Sequence, residues 1–538
     1  MYGHTDADAV FGLLYAQCED DFYRVEMNYI EKLGRLSEVK GESQLYNDLL
    51  IRLVIDSADA IKDYRNSTAS FKKLLDAFAD GINFYLYKHP SLKPLLLQRF
   101  KPWYPLLWTD GSIGAINTAG VTAEELKIFY TGNNASTVYQ KPYYEKDVSG
   151  SNGFAIAPSK TESGNAILYI NPHTTFYFRP EVQMASDEGL NAYGAVTWGQ
   201  FFVYQGFNEH CGWMHTSSYS DNADLYAEKI IKKNDKLFYS YDNTLKPVTE
   251  KPIVLQYKND AAIQSKTITA YFTEHGPVMA KRNGQWLTLK ANNRNMKGLM
   301  QCWQRTKATS FAAFKKTVDL RANTSNNEVY ADAEGNIAYW HGNFIPVRDT
   351  KFDFTKPVDG STSATEWKGL HTVNEMLHIY NPPNGWIQNC NSSAFTAAGD
   401  NSPKRENYPV YMAPDGENFR GINAVRVLKR ENKYNIDKLI AAGYDSYLSA
   451  FEILLPALLK AVDANTDSSL ASQLREPVDI LKNWNMHSSE TSVATTLAVE
   501  WGEKLLPVIF QNFTDDDALD EPAVTKQFAD TAAPPQLI

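Results

Sequence analysis

The sequence predicts an α+β protein whose sheets are covered on both faces, and three observations predict it. Helical periodicity runs through the first 130 residues, short apolar runs bounded by Gly, Asn and Pro begin at Ser151, and helical periodicity returns past Tyr434. In the first segment Val10, Leu13, Leu14, Cys18, Phe22, Val25, Tyr29, Leu33 and Leu36 recur at steps of three and four, which places one apolar stripe on a long helix. Thr5 with Asp8 three residues on is a start signal for it. A second helix is expected over 45–64, a third carries Phe71, Leu74, Leu75, Phe78 and Ile82, and a short one covers 121–130.

Residues 131–150 are polar and aperiodic, as in a linker. The expected strands are 154–157, 166–170, 194–198, 201–204, 253–257, 266–272, 286–289, 336–340 and 386–387. Many of these runs are apolar on both faces, which suits sheets buried between other layers. Leu448, Phe451, Leu454, Leu455, Leu458, Leu459 and Val462 make a last broad apolar face, with Pro456 as an expected kink. Asp515, Asp516 and Asp517 read as a solvated loop.

Composition narrows the function classes. A chain of 538 residues allows three to four units at ~150 residues each. The 43% hydrophobic and 22% charged content excludes global disorder. With 53 Lys+Arg against 63 Asp+Glu the net charge is −10, which argues against a nucleic-acid partner. No apolar run approaches the ~18 residues of a membrane span. Cys18, Cys211, Cys302 and Cys390 form no metal or disulfide pattern. Met1 leads straight into the first helix with no export signal, so either the protein is cytoplasmic or such a segment has been removed.

The candidate site is Gly150-Ser151-Asn152-Gly153. It is not a nucleophile elbow, because Ser149 stands where that motif needs Gly. On composition alone it is a turn. Cleavage of the Gly150–Ser151 bond would change its chemistry. Ser151 would then carry a hydroxyl and an α-amine with a pKa of ~7.7–8.0, nucleophile and base on one residue. Gly150 leaves the preceding carbonyl open to attack by that hydroxyl.

Here the chain resembles the penicillin acylase family of N-terminal-nucleophile hydrolases, over nearly its whole length. Asp6 to Gln17 with Gly34 to Glu38 resembles that family's small-subunit start. Ser149 to Ala157 resembles its processing site and large-subunit start. Asn171-Pro-His173, Gly206 to Thr216 and Asn384 to Ser392 resemble further motifs in the family's order. The resemblance implies a four-layer α-β-β-α sandwich, with a helical small subunit over 1–130, a spacer over 131–150 and a large subunit over 151–538. It implies hydrolysis of a linear N-acyl amide through an acyl-enzyme on Ser151, after autocatalytic cleavage between Gly150 and Ser151. Alternatives within that chemistry are an acyl-homoserine-lactone or lipopeptide acylase.

Residue roles follow from the same resemblance. His173 assists the serine or is a buried structural histidine. The oxyanion donors are the Ser217 N–H and the Asn391 side-chain amide. Arg420 orients Asn391 or the Ser151 amine, or forms a surface salt bridge. Thr174, His215 and Trp303 line the acyl pocket, and Thr174 replaces a bulky aromatic of some members, which speaks against an aromatic acyl group. Asp221 and Asp224 fall where some members bind a structural Ca²⁺, and catalysis needs no cofactor. The partners implied are a small-molecule amide and the association of the two processed subunits, in the periplasm or outside the cell. Both ends depart from the family: a first strand before Tyr2 is missing and the chain stops at Ile538, as in a trimmed fragment.

Two readings of other classes are open to the same residues. A metal-dependent hydrolase would use His173, His210, Cys211 and His215, but His210 and His215 are five apart, not the four of the zinc motif. A glycan-binding protein would use some of the 31 Tyr and 11 Trp, which equally populate a large core.

Overall fold

The computed structural model describes residues 1–108, 116–132, 150–174, 179–260, 262–324, 326–513 and 519–538. Most of the expected spacer and the acidic run at 515–517 lie outside them. The helix Asp6–Lys32 begins as the sequence predicts: the Thr5 hydroxyl accepts the Asp8 N–H, and the Asp8 carboxylate accepts the Thr5 N–H at 2.8 Å. It stops before Leu36, because Gly34 takes φ +60° and turns the chain. The single helix expected over 45–64 is two, Leu45–Val54 and Ser57–Asn66. Asp56 separates them by accepting the Ala58 N–H at 2.8 Å, a start signal that the apolar period hides. Helices Ala69–Lys88 and Ala123–Thr131 complete the first segment.

Two sheets build the centre. The larger has eight strands in the order Tyr2–Gly3, Glu181–Ser186, Asn191–Ala195, Gln205–Asn208, Cys211–Ser217, Asn326–Asp332, Ile337–His341 and His378–Tyr380. The smaller has Gly150–Ile156 between Trp386–Asn389 and Ile167–His173. Tyr2–Gly3 pairs in parallel with Glu181–Ser186, so a short first strand is present where none was expected. Phe201 to Tyr204 are buried but form no strand; they lie in the connection between two strands of the large sheet.

Alternation along Cys211–Ser217 separates the layers. Met214 faces the small sheet, where a Cβ on Gly153 would lie 2.5 Å from its sulfur; only glycine fits there. Ala155, Val329, Tyr339 and Ile387 fill the space between the sheets. Trp213 and Tyr330 face the other way, onto helices Met296–Thr306 and Phe311–Val318 and the first helical segment. Phe154, Ile156 and Trp386 on the outer face of the small sheet pack on Val427, Leu428 and Leu439 of helices Phe419–Arg430 and Ile436–Gly443. The result is the expected α+β protein with an α-β-β-α sandwich. A six-stranded sheet, in which Ala223–Glu228 follows directly on the Ser217 strand, forms a separate core with helix Leu45–Val54. Helices past Phe451 form another, and Phe451–Asp463 continues across Pro456.

The six-stranded sheet holds a titratable centre. His275 is fully buried, with Nδ1 2.8 Å from Glu228 Oε1 and Nε2 2.8 Å from Glu366 Oε1. Burial by itself lowers the imidazole pKa, but the two carboxylates outweigh it and raise it to about 8. A pKa raised above the unfolded value of ~6.5 gives stability that is complete below pH 6.5 and is lost as pH rises through about 8. The expected loss is about 2 kcal/mol. Denaturant titrations of wild type across pH 6 to 9 should show this slope, and His275→Gln should flatten it; a slope unchanged in the variant would assign it to another group.

Candidate active site

Ser151 sits second in its strand, paired antiparallel with Ile167–His173 on one side and Trp386–Asn389 on the other. Only 7% of it is exposed. The pairing sets His173 directly opposite Gly150. A Cβ on Gly150 would lie 2.5 Å from His173 Cε1 and 3.0 Å from Asn391 Oδ1, so glycine is required by this crowding as well as by access to its carbonyl.

Asn391 converges on the same point from 240 residues away. Its Oδ1 accepts the Ser151 backbone N–H at 2.7 Å. Its side-chain Nδ2 donates to the Ser217 carbonyl at 2.9 Å, leaving the second N–H of that amide available. Asn391 takes φ +56°, a left-handed conformation that Asn tolerates better than most residues. Two side chains hold its backbone there. Asn389 Oδ1 accepts its backbone N–H at 3.0 Å and also the Thr216 hydroxyl at 2.5 Å. Asn418 Nδ2 donates to the Asn391 carbonyl at 2.9 Å.

Asn418 also caps the helix that carries Arg420, accepting the Gly421 N–H at 2.8 Å. That cap aims Arg420 at Ser151. Its Nη2 donates to Asn391 Oδ1 at 3.2 Å, and its Nη1 to the Ser151 carbonyl at 3.3 Å and to Asn152 Oδ1 at 2.8 Å. Arg420 is therefore an orienting group and not a surface salt bridge. Sequence reasoning gave Asn152, Asn389 and Asn418 no role of their own. Asn418 had a readable signal, an Asn immediately before a helical segment; Asn152 and Asn389 had none, because their partners are distant in the chain.

Ser151, Gly150, His173, Ser217, Asn391 and Arg420 thus come together as expected. Of the expected pocket residues, His215 and Trp303 lie on the helix side of the large sheet and not beside Ser151. Thr174 is exposed at the end of its strand. His215 lies on the helix-facing side of the large sheet, stacked on Tyr204 at 4.6 Å, and its Nε2 accepts from Arg305 Nη1 at 2.6 Å. Burial, with Arg305 and Arg179 alongside, holds its imidazole well below the usual range, so it is neutral. Trp303 stands on the same helix as Arg305, buried beside Phe201.

Nor do the residues of the metal reading assemble. His210 is exposed, Cys211 Sγ turns to the Ala308 carbonyl and His215 is engaged by Arg305. Among the described residues the one group with three ligand atoms in reach of an ion is Glu274, His275 and Glu366, where both His275 nitrogens already face carboxylates. The expected calcium pair does not fit calcium either. Asp221 Oδ1 takes Arg348 Nη2 at 3.0 Å, and Asp224 Oδ2 takes Arg348 Nε at 2.8 Å and also the Trp367 indole N–H. A guanidinium holds the position a cation would take.

The family model described as Penicillin amidase matches residues 1–536. The chain is 24% identical to the acyl-homoserine lactone acylase QuiP of Pseudomonas fluorescens (strain Pf-5), over 92% of this chain and 64% of that protein. It is 27% identical to penicillin G acylase of Escherichia coli, over 71% and 43%. It is 23% identical to the acyl-homoserine lactone acylase PvdQ of Pseudomonas putida, over 84% and 65%. The chain spans less than two thirds of the length of each of these relatives. The thermostable penicillin G acylase from Alcaligenes faecalis shares its fold, with a TM-score of 0.53 and 20% identity over 66% of this chain and 65% of that one.

Proposed function

This chain belongs to the penicillin amidase family, and on that footing we propose that it is an autoprocessed amidohydrolase that cleaves linear N-acyl amides through an acyl-enzyme on Ser151. One observation carries the reading: Asn391 and Arg420 converge on the backbone of Ser151, with Ser217 alongside. In processing, Ser151 Oγ attacks the Gly150 carbonyl, the peptide bond breaks to an ester, and water releases a Gly150 carboxylate and a free Ser151 amine. In turnover that amine takes the Oγ proton as Oγ attacks the substrate carbonyl. The second Asn391 N–H and the Ser217 N–H receive the oxyanion. Collapse expels the amine product with the proton, and water then hydrolyses the acyl-enzyme.

Arg420 has two uses in this scheme. It fixes the amide of Asn391, and its charge disfavours an ammonium on Ser151, which keeps the amine unprotonated near neutral pH. No cofactor is needed, and the substrate is a small molecule. The relatives are named for penicillin G and for acyl-homoserine lactones, and Thr174 itself offers no aromatic ring to favour an aromatic acyl group. A panel from phenylacetyl amides to long-chain acyl-homoserine lactones separates these acyl classes. An exported location accompanies this reading.

N-terminal sequencing and intact mass of the active protein test it. The expected result is a chain that begins at Ser151 and gains one acyl mass on brief exposure to substrate. Activity from a chain intact at 150–151 would refute it. Asn391→Ala in the mature protein should lower kcat about 10²–10³-fold with KM changed much less. A kcat within a few-fold of wild type would remove Asn391 from the oxyanion role.

A further inference from the structure

We infer that Arg348 is a built-in cation for the segment that leads out of the Ser217 strand, standing in place of a divalent metal and making this segment calcium-independent. Asp221 lies between the strands Cys211–Ser217 and Ala223–Glu228 and Asp224 is the second residue of the latter, where the chain passes from the large sheet to the six-stranded one. Asp224 is 2% exposed, and the Arg348 side chain is fully buried. Two carboxylates this close need a positive charge between them. The guanidinium supplies it, with Nε on Asp224 and Nη2 on Asp221, one planar fork bridging two residues.

The surroundings are built for a guanidinium. The rings of Tyr411, Phe354 and Trp367 surround it, with centroids 5.2, 5.6 and 5.8 Å from Cζ. The Tyr411 hydroxyl accepts the Arg348 backbone N–H at 3.2 Å, fixing the base of the side chain. Calcium asks instead for six to eight oxygens at ~2.3–2.6 Å. Here the acids spend oxygens on N–H donors, and the neighbours are rings. Of the side-chain atoms of Asp221, Asp224 and Arg348, the buried ones left without a hydrogen-bond partner are one acceptor, Asp224 Oδ1, and one donor, Arg348 Nη1. A metal site would leave acceptors only.

Arg348 is a positioning residue, and the readout is metal dependence. Wild-type full-length chain should melt at the same temperature with a calcium chelator as with millimolar CaCl₂, and elemental analysis after dialysis should find no bound calcium. Arg348→Gln should lower Tm by at least about 5 °C, and CaCl₂ should recover part of the loss, because removing the guanidinium leaves two carboxylates to be neutralised. Stoichiometric calcium in wild type, or a wild-type Tm raised by calcium, would overturn the inference. So would an Arg348→Gln protein as stable as wild type. If that variant does not fold, the wild-type measurements decide alone.

Discussion

Replacing Ser151 with alanine is expected to leave the chain uncut at Gly150–Ser151 and to lower amide hydrolysis by about 10⁶-fold, the scale seen when a serine hydrolase loses its nucleophile. Both losses come from one oxygen. Autocleavage needs Oγ to attack the Gly150 carbonyl, and without that cut no α-amine exists to act as base. The fold should not suffer. The contact that ties this position to Asn391 uses the backbone N–H, which alanine keeps at the same 2.7 Å geometry. Alanine also fits the strand between its two neighbours, since the Ser151 side chain does not hold either ladder together. The informative result is therefore a protein of wild-type Tm, running as a single chain on a denaturing gel, without activity. Ser151→Cys separates the two steps: it keeps a nucleophile and is expected to be cut, while turnover falls. An Ser151→Ala protein that still hydrolyses amides would place the chemistry elsewhere.

The physical reason such a site is only half legible in the sequence is visible in its parts. Thr5 and Asp8 announced the first helix because a cap is a local contact, three residues long. Asp56 did not announce its break, because apolar periodicity runs through it and outweighs one capping residue in any window. Strands apolar on both faces were readable as strands, yet Phe201 to Tyr204 have the same composition and no ladder, since burial from all sides leaves no alternation to distinguish the two. At the site, Ser151, His173, Asn391 and Arg420 were reached through ordered motifs. Their convergence depends on pairings across 240 residues, which composition and spacing do not encode. The same distance hid Arg348. Two acids three positions apart look like a metal site until the partner, more than 120 residues on, is seen to be an arginine.

The largest effect on stability is expected at Arg305, and it also lies outside any local pattern. Arg305 Nη1 is 2.5 Å from Glu328 Oε1 and 2.6 Å from His215 Nε2, and both charged side chains are 2% exposed or less. Removing one member of a buried pair strands the other, so Arg305→Met should cost about 3–5 kcal/mol at pH 7 in denaturant unfolding. The cost should depend on pH with a definite sign. Burial already raises the Glu328 carboxyl, and Arg305 is what opposes it. Without the arginine the folded pKa rises further above the unfolded ~4.3. The variant's deficit is then smallest near pH 4, where the acid is protonated in both states, and grows as pH climbs through the raised folded value. Arg305→Met/Glu328→Gln removes the stranded charge and should recover most of the loss, short of the roughly 1 kcal/mol tied to the donor that His215 loses. A double variant no better than the single would mean that packing of the arginine stem, and not charge, sets the cost. Because neither residue touches Ser151 and both face the helix layer, kcat measured well below the variant's Tm should stay near wild type, which distinguishes a strut of the sandwich from a member of the catalytic group.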